Sequence, residues 1–104
     1  MIYAVDFDGT LCKSAWPDIG KPRKWLIRWL IRKWQHGHKL ILWTCREGES
    51  LDKALVWCAA HGLMFDAVNE NLPERIALYN NDCRKIGADY YIDDKNLFLR
   101  GVNK

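Results

Sequence analysis

No apolar stretch in this chain approaches the ~18–20 residues that a helical membrane span requires. The start, Met1-Ile2-Tyr3, reaches Asp6 with neither a basic leader nor a small-residue cleavage site. A signal peptide is therefore not expected, and the cytoplasm is the expected compartment. The four cysteines, Cys12, Cys45, Cys58 and Cys83, include no C-x-x-C pair. That spacing argues against a zinc ribbon or a thioredoxin-like site and for free thiols in a reducing compartment. There is no internal repeat, low-complexity tract or linker, so the 104 residues read as one domain over 1–104. Acid is missing from Ile19 to Arg46, a stretch with eight basic residues. Such a segment is either the solvated face of a helix or a positive field for a phosphorylated partner.

Short β-forming runs alternate with helical patterns. Ile2–Asp6, Lys39–Thr44, Phe65–Val68 and Asp89–Ile92 are the expected strands. A helix is expected after Pro22, with Leu26, Ile27, Trp29, Leu30, Ile31 and Trp34 on one arc and Trp25 off it. A second is expected from about Glu49 to Ala60 with Ser50 as N-cap, and a third from Pro73. Strands alternating with helices predict an α/β fold: a three-layer Rossmann-like parallel sheet of about four strands with right-handed crossovers.

In such a sheet the carboxyl ends of the strands form the ligand-binding edge. The first strand ends in Asp6 with Asp8 just beyond, the second in Thr44-Cys45-Arg46, and the last in Asp93-Asp94, with Lys85 shortly before it. Two like charges ~4 Å apart cost roughly 4 kcal/mol at an effective dielectric of ~20. A hard divalent cation relieves that cost, and oxygen ligands point to Mg²⁺. In Asp6-Phe7-Asp8 one carboxylate can bind metal and attack phosphorus, while the other protonates the leaving oxygen and then deprotonates water. Gly9 and Thr10 follow, where the chain leaves the strand tightly and backbone N–H groups can receive phosphate oxygens. Arg46 is a candidate phosphate clamp, with Glu47 or Glu70 as rival partners, and Cys45 can lend its backbone N–H.

These residues resemble the motifs of the haloacid dehalogenase superfamily of phosphohydrolases. Asp-Phe-Asp-Gly-Thr-Leu at positions 6–11 resembles its first motif, Leu42-Trp43-Thr44 the second, Lys85 the third, and the apolar run into Asp93-Asp94 the acidic fourth. The order spans nearly the whole chain and is closest to small bacterial and phage members. The resemblance implies Asp6 as the nucleophile that becomes an aspartyl-phosphate. It implies Asp8 as general acid/base with its backbone carbonyl on the metal. Thr44 would bind the phosphoryl group, and Lys85 would neutralise Asp6 and the phosphoryl oxygens, with Lys95 competing for that role. Asp93 would bind Mg²⁺ directly, and Asp94 directly or through water. A second aspartate at position 8 favours a phosphatase, phosphoric monoester hydrolase, or a phosphomutase.

Many family members carry a cap domain over the site. The slots between Thr10 and Lys39 and between Arg46 and Lys85 leave no room for one, so a capless member is expected. An open site suits a large substrate, a nucleic-acid end or a phosphoprotein; otherwise a homo-oligomer partner covers it. No membrane partner is expected. A phosphomutase needs a closed site to keep water off the acyl phosphate. A phosphorylatable signalling module is the rival outside enzymes, but it places its phosphorylated aspartate on a middle strand, where this chain has Asn69. A binding protein that keeps an idle pocket is the third reading. Trp16 and Trp25 are the expected exposed aromatics.

Overall fold

The computed structural model describes residues 1–97; 98–104 of the expected domain lie outside them. β1 (Ile2–Val5), β4 (Lys39–Leu42), β5 (Ala67–Val68) and β6 (Tyr90–Ile92) form one sheet, and β2 (Cys12–Ala15) and β3 (Asp18–Pro22) a separate hairpin. The helices are α1 (Lys24–Gln35), α2 (Gly48–Ala60) and α3 (Pro73–Tyr79). The sheet runs β5-β4-β1-β6 with every pair parallel. This is the expected α/β architecture.

Parallel strands need both faces covered, and β1 and β4 are buried along most of their length. Alternation divides their side chains. Tyr3, Val5, Leu40 and Leu42 face α1 and α2, meeting Leu26, Ile27 and Leu30 from one helix and Ala54 and Cys58 from the other. Ala4 and Ile41 face the opposite way, into a smaller cluster with Ala67, Leu72 and Ile86. Strand ends are shorter than the expected runs: Asp6 and Trp43-Thr44 already lie beyond the ladder. The N-cap of α2 is Glu47 rather than Ser50, which sits in the first turn and donates its hydroxyl to the Glu47 carbonyl at 2.8 Å.

From β1 the chain steps to β4 and β5, then returns across the sheet to β6 on the other side of β1. The chain leaves β1 toward one side of the sheet and crosses back to build β6 on the other, so β1 and β6 flank the switch point and a crevice opens at their carboxyl ends. The Asp6 N–H donates to the Ile92 carbonyl at 2.9 Å, so the two loops part just after that bond.

The β2–β3 hairpin is absent from the sequence-based expectation, which filled the stretch after Thr10 with α1 alone. Its strands pair antiparallel around a Trp16-Pro17 turn with an irregular register. Of its nine strand residues only Cys12 is buried, so the period-2 signal is weak. No cap domain occupies either slot among the described residues. One contact fixes the hairpin: a Cβ on Gly20 would overlap the Lys13 carbonyl of the facing strand. Gly20→Ala is therefore expected to lower stability by about 2 kcal/mol through forced separation of the strands, measured by urea unfolding. An unchanged midpoint would show that the hairpin does not approach so closely.

Candidate active site

Asp6, Asp93 and Asp94 meet in the crevice. Each offers a carboxylate oxygen, and the three oxygens lie within 4.8 Å of one another. Asp6 is half-buried and the other two are exposed. Burial, then the negative charge of Asp93, pushes the Asp6 carboxyl above its ordinary value, with Asp94 adding to the rise. Burial alone would raise Asp94 as well. Hydrogen bonds from Lys95, whose Nζ lies 3.3 Å away, and from Asp93 outweigh it and leave Asp94 below the ordinary value.

Thr10 ties the two loops together. Its hydroxyl accepts the Asp94 backbone N–H at 3.0 Å and lies 3.3 Å from Asp6 Oδ2 and 3.5 Å from Asp94 Oδ1. One hydroxyl proton serves one acceptor at a time, and Asp6 is nearer. Gly9 is required for two reasons. Its φ is +83°, and a Cβ there would stand 2.5 Å from Asp94 Oδ2. The side chain of Arg23 braces the same loop, donating to the Thr10 carbonyl at 2.8 Å and the Gly9 carbonyl at 3.3 Å.

An open recess of about 200 Å³ adjoins the carboxylates, lined by Asp6, Asp93, Lys85, Trp43, Tyr91 and Asn96. Lys85 thus shares the recess with Asp6, while Lys95 is engaged with Asp94. The segment that carries Lys85 is held by buried Asn71. Its Nδ2 donates to Asp82 Oδ1 at 2.8 Å and the Cys83 carbonyl at 3.0 Å, and its Oδ1 accepts the Gly87 N–H at 2.7 Å. Asn71 therefore braces the segment that carries Lys85. Thr44 stands past β4, where its N–H donates to Asn69 Oδ1 at 2.8 Å and its hydroxyl accepts the Arg46 N–H at 3.1 Å. Thr44 does not line the recess that holds Asp6 and Lys85. Cys45 beside it is exposed.

Arg46 departs from expectation. It is 2% exposed, and it pairs with neither Glu47 nor Glu70. Its guanidinium forms a fork on Asp8, Nε to Oδ2 at 2.9 Å and Nη2 to Oδ1 at 2.8 Å. The remaining N–H groups reach the carbonyls of Asp18 at 3.0 Å and of Pro17 and Ser50 at 3.4 Å. Phe7 and Trp16 cover the plane, with centroids 5.1 and 4.9 Å away. With its donors committed inside the protein, Arg46 is not a clamp for substrate phosphate. The hairpin that supplies the two turn carbonyls was not foreseen. Asp8 likewise does not add its carboxylate to the Asp6–Asp93–Asp94 group.

No protein-family model matches the chain, and no curated protein matches it. A solved structure of a conserved protein from Bacteroides thetaiotaomicron does, at 44% identity and a TM-score of 0.83, over 93% of this chain and 78% of that one. This chain belongs to that protein's family. The similarity carries the fold.

The Arg46–Asp8 fork joins the β1 loop, the hairpin turn and the start of α2. Arg46→Ala is expected to cost about 3 kcal/mol, because Asp8 and the turn carbonyls lose a buried partner. Arg46→Lys should recover less than half of that, since an ammonium cannot fork. Chemical denaturation of the three proteins measures both values. Equal stability of the alanine variant would mean that the pair is not held in solution.

Proposed function

We propose that this chain is a Mg²⁺-dependent phosphohydrolase of the haloacid dehalogenase type, cleaving phosphomonoesters through an aspartyl-phosphate on Asp6. The observation that carries the reading is the meeting of three carboxylates around a half-buried Asp6, with Lys85 lining the same recess.

The donor set fits Mg²⁺. All three groups offer hard oxygen, and a divalent cation would relieve the repulsion that adds to burial in raising Asp6. Asp6, Asp93 and Asp94 would hold it. When bound, Mg²⁺ neutralises phosphoryl oxygens and orients the ester.

The chain's own residues then account for the rest. One oxygen of Asp6 attacks phosphorus, a P–O bond to Asp6 forms, and the ester P–O bond breaks with its electron pair on the leaving oxygen. Thr10, hydrogen-bonded to the other side of Asp6, orients the attacking group. The Lys85 ammonium and the Thr44 hydroxyl receive phosphoryl oxygens. Asp8 supplies a proton to the leaving oxygen and takes one from the water that cleaves the acyl phosphate. To do so its carboxylate turns away from Arg46, which makes Arg46 and the hairpin turn positioning elements for Asp8.

A second reading rests on that same fork. If Asp8 stays on Arg46 throughout, Asp6 can be phosphorylated but the acyl phosphate is not hydrolysed quickly, and the chain is a phosphorylatable binding or signalling module. Phosphate release from p-nitrophenyl phosphate and a panel of phosphoesters, with Mg²⁺ or with EDTA, separates the readings. Hydrolase activity predicts turnover lost in EDTA, lost at least ~10³-fold in Asp6→Asn, and reduced ~10²- to 10⁴-fold in Asp8→Asn. Absence of turnover on every ester, in a folded protein that still binds Mg²⁺, contradicts the proposal.

A further inference from the structure

Beside the carboxylate crevice lies an open groove of about 430 Å³ between the hairpin and the start of α1. Lys13, Lys21, Lys24 and Arg28 line it, all exposed, and none of the four has a salt-bridge partner among the described residues. Trp25 stands in the same groove at 61% exposure. An indole on the polar side of an amphipathic helix forgoes burial of a large apolar surface. Arg23 and Trp25 also line a smaller recess that ends at Asp93 and Asp94. The cations, the indole and the carboxylates thus follow one another along a single path over the surface.

We propose that this groove binds a single-stranded nucleic acid and leads its phosphorylated end into the Asp6 site. The inference rests on the hydrolase reading for the chemistry at the end and names the substrate class of that site. Cations spread along a groove match the regular charge of a polynucleotide backbone. A solvent-facing ring gives a sequence-tolerant platform on which one base stacks. A duplex hides its base faces and leaves the indole unused. A phosphorylated peptide concentrates its charge at one group and leaves most of the cations unmatched. The open, capless edge admits a polymer where a closed site would exclude it.

Fluorescence anisotropy of a labelled single-stranded oligonucleotide with a 5′-hydroxyl end, titrated in Mg²⁺ over a series of KCl concentrations, tests the groove apart from the chemistry. Four phosphate contacts predict that log K falls against log salt with a slope of about −2 to −3. The double variant Lys21→Gln/Arg28→Gln should reduce that slope by about 1.4, and Trp25→Ala should weaken binding about tenfold or more. A blunt duplex of equal length should bind more weakly than the single strand. Binding that is absent at low salt, or unmoved by these variants, overturns the inference. So does preference for anionic lipid vesicles that the oligonucleotide cannot displace. Hydrolysis of p-nitrophenyl phosphate by the wild-type protein reads the chemistry separately. Turnover of that ester without oligonucleotide binding overturns the groove and leaves the hydrolase standing. Oligonucleotide binding that meets all four expectations, with no ester turned over, supports the groove and overturns the hydrolase.

Discussion

Three carboxylates with oxygens within 4.8 Å of one another are the constraint that the site is built around. Left alone they repel, and burial first, then the charge of Asp93 and Asp94, pushes the Asp6 carboxyl above its ordinary value. The fold accepts the arrangement because it tethers Asp6 and Asp94 through their backbone N–H groups. Asp6 is tied to β6 by its N–H, Asp94 is tied to Thr10 by its own, and Gly9 leaves room for the Asp94 carboxylate. Lys95 offsets part of the charge from the rim, where solvent screens it. The sheet order places these tethers where the chain reverses its direction of travel across the sheet, so site and topology have a common origin.

Arg46 shows a different use of charge. A buried guanidinium is tolerated only with its donors satisfied, and here one carboxylate and three backbone carbonyls satisfy it. The partners come from the β1 loop, the hairpin turn and α2. Arg46 thereby anchors the hairpin turn through the Pro17 and Asp18 carbonyls, while Cys12 and Ile19 pack into the core, and Trp16 lies over the guanidinium. Asp8 is consequently held on Arg46, outside the Asp6–Asp93–Asp94 group, and the proposed acid/base role requires its carboxylate to leave that fork.

Much of the architecture is legible in the sequence because its signals are local. Buried β-branched and aliphatic runs mark β1 and β4, and Pro22 precedes α1 closely enough to place it. Trp25 falls off the apolar arc of α1 and is exposed as that arc implies. The acidic cluster is legible too, because parallel strands oblige Asp6 and Asp93-Asp94 to share an edge. Other features depend on contacts far apart in sequence. The Asp8–Arg46 fork spans 38 positions, and nothing near Arg46 distinguishes it from a solvent-facing arginine. The hairpin is short, polar and half-exposed, so its residues carry little pattern; it is specified by the Gly20–Lys13 approach and by Arg46. The partners of Asn71 lie 11 to 16 positions further on, so its bracing role has no local signal.

Trapping the acyl phosphate tests the central claim most directly. The protein, turning over a phosphoester in Mg²⁺, is quenched and reduced with borohydride, which converts an aspartyl-phosphate to homoserine, and the modified position is located by peptide mass spectrometry. Homoserine at position 6, absent without substrate, is the predicted result. Modification at another residue, or continued turnover with Asp6 never modified, would contradict the account.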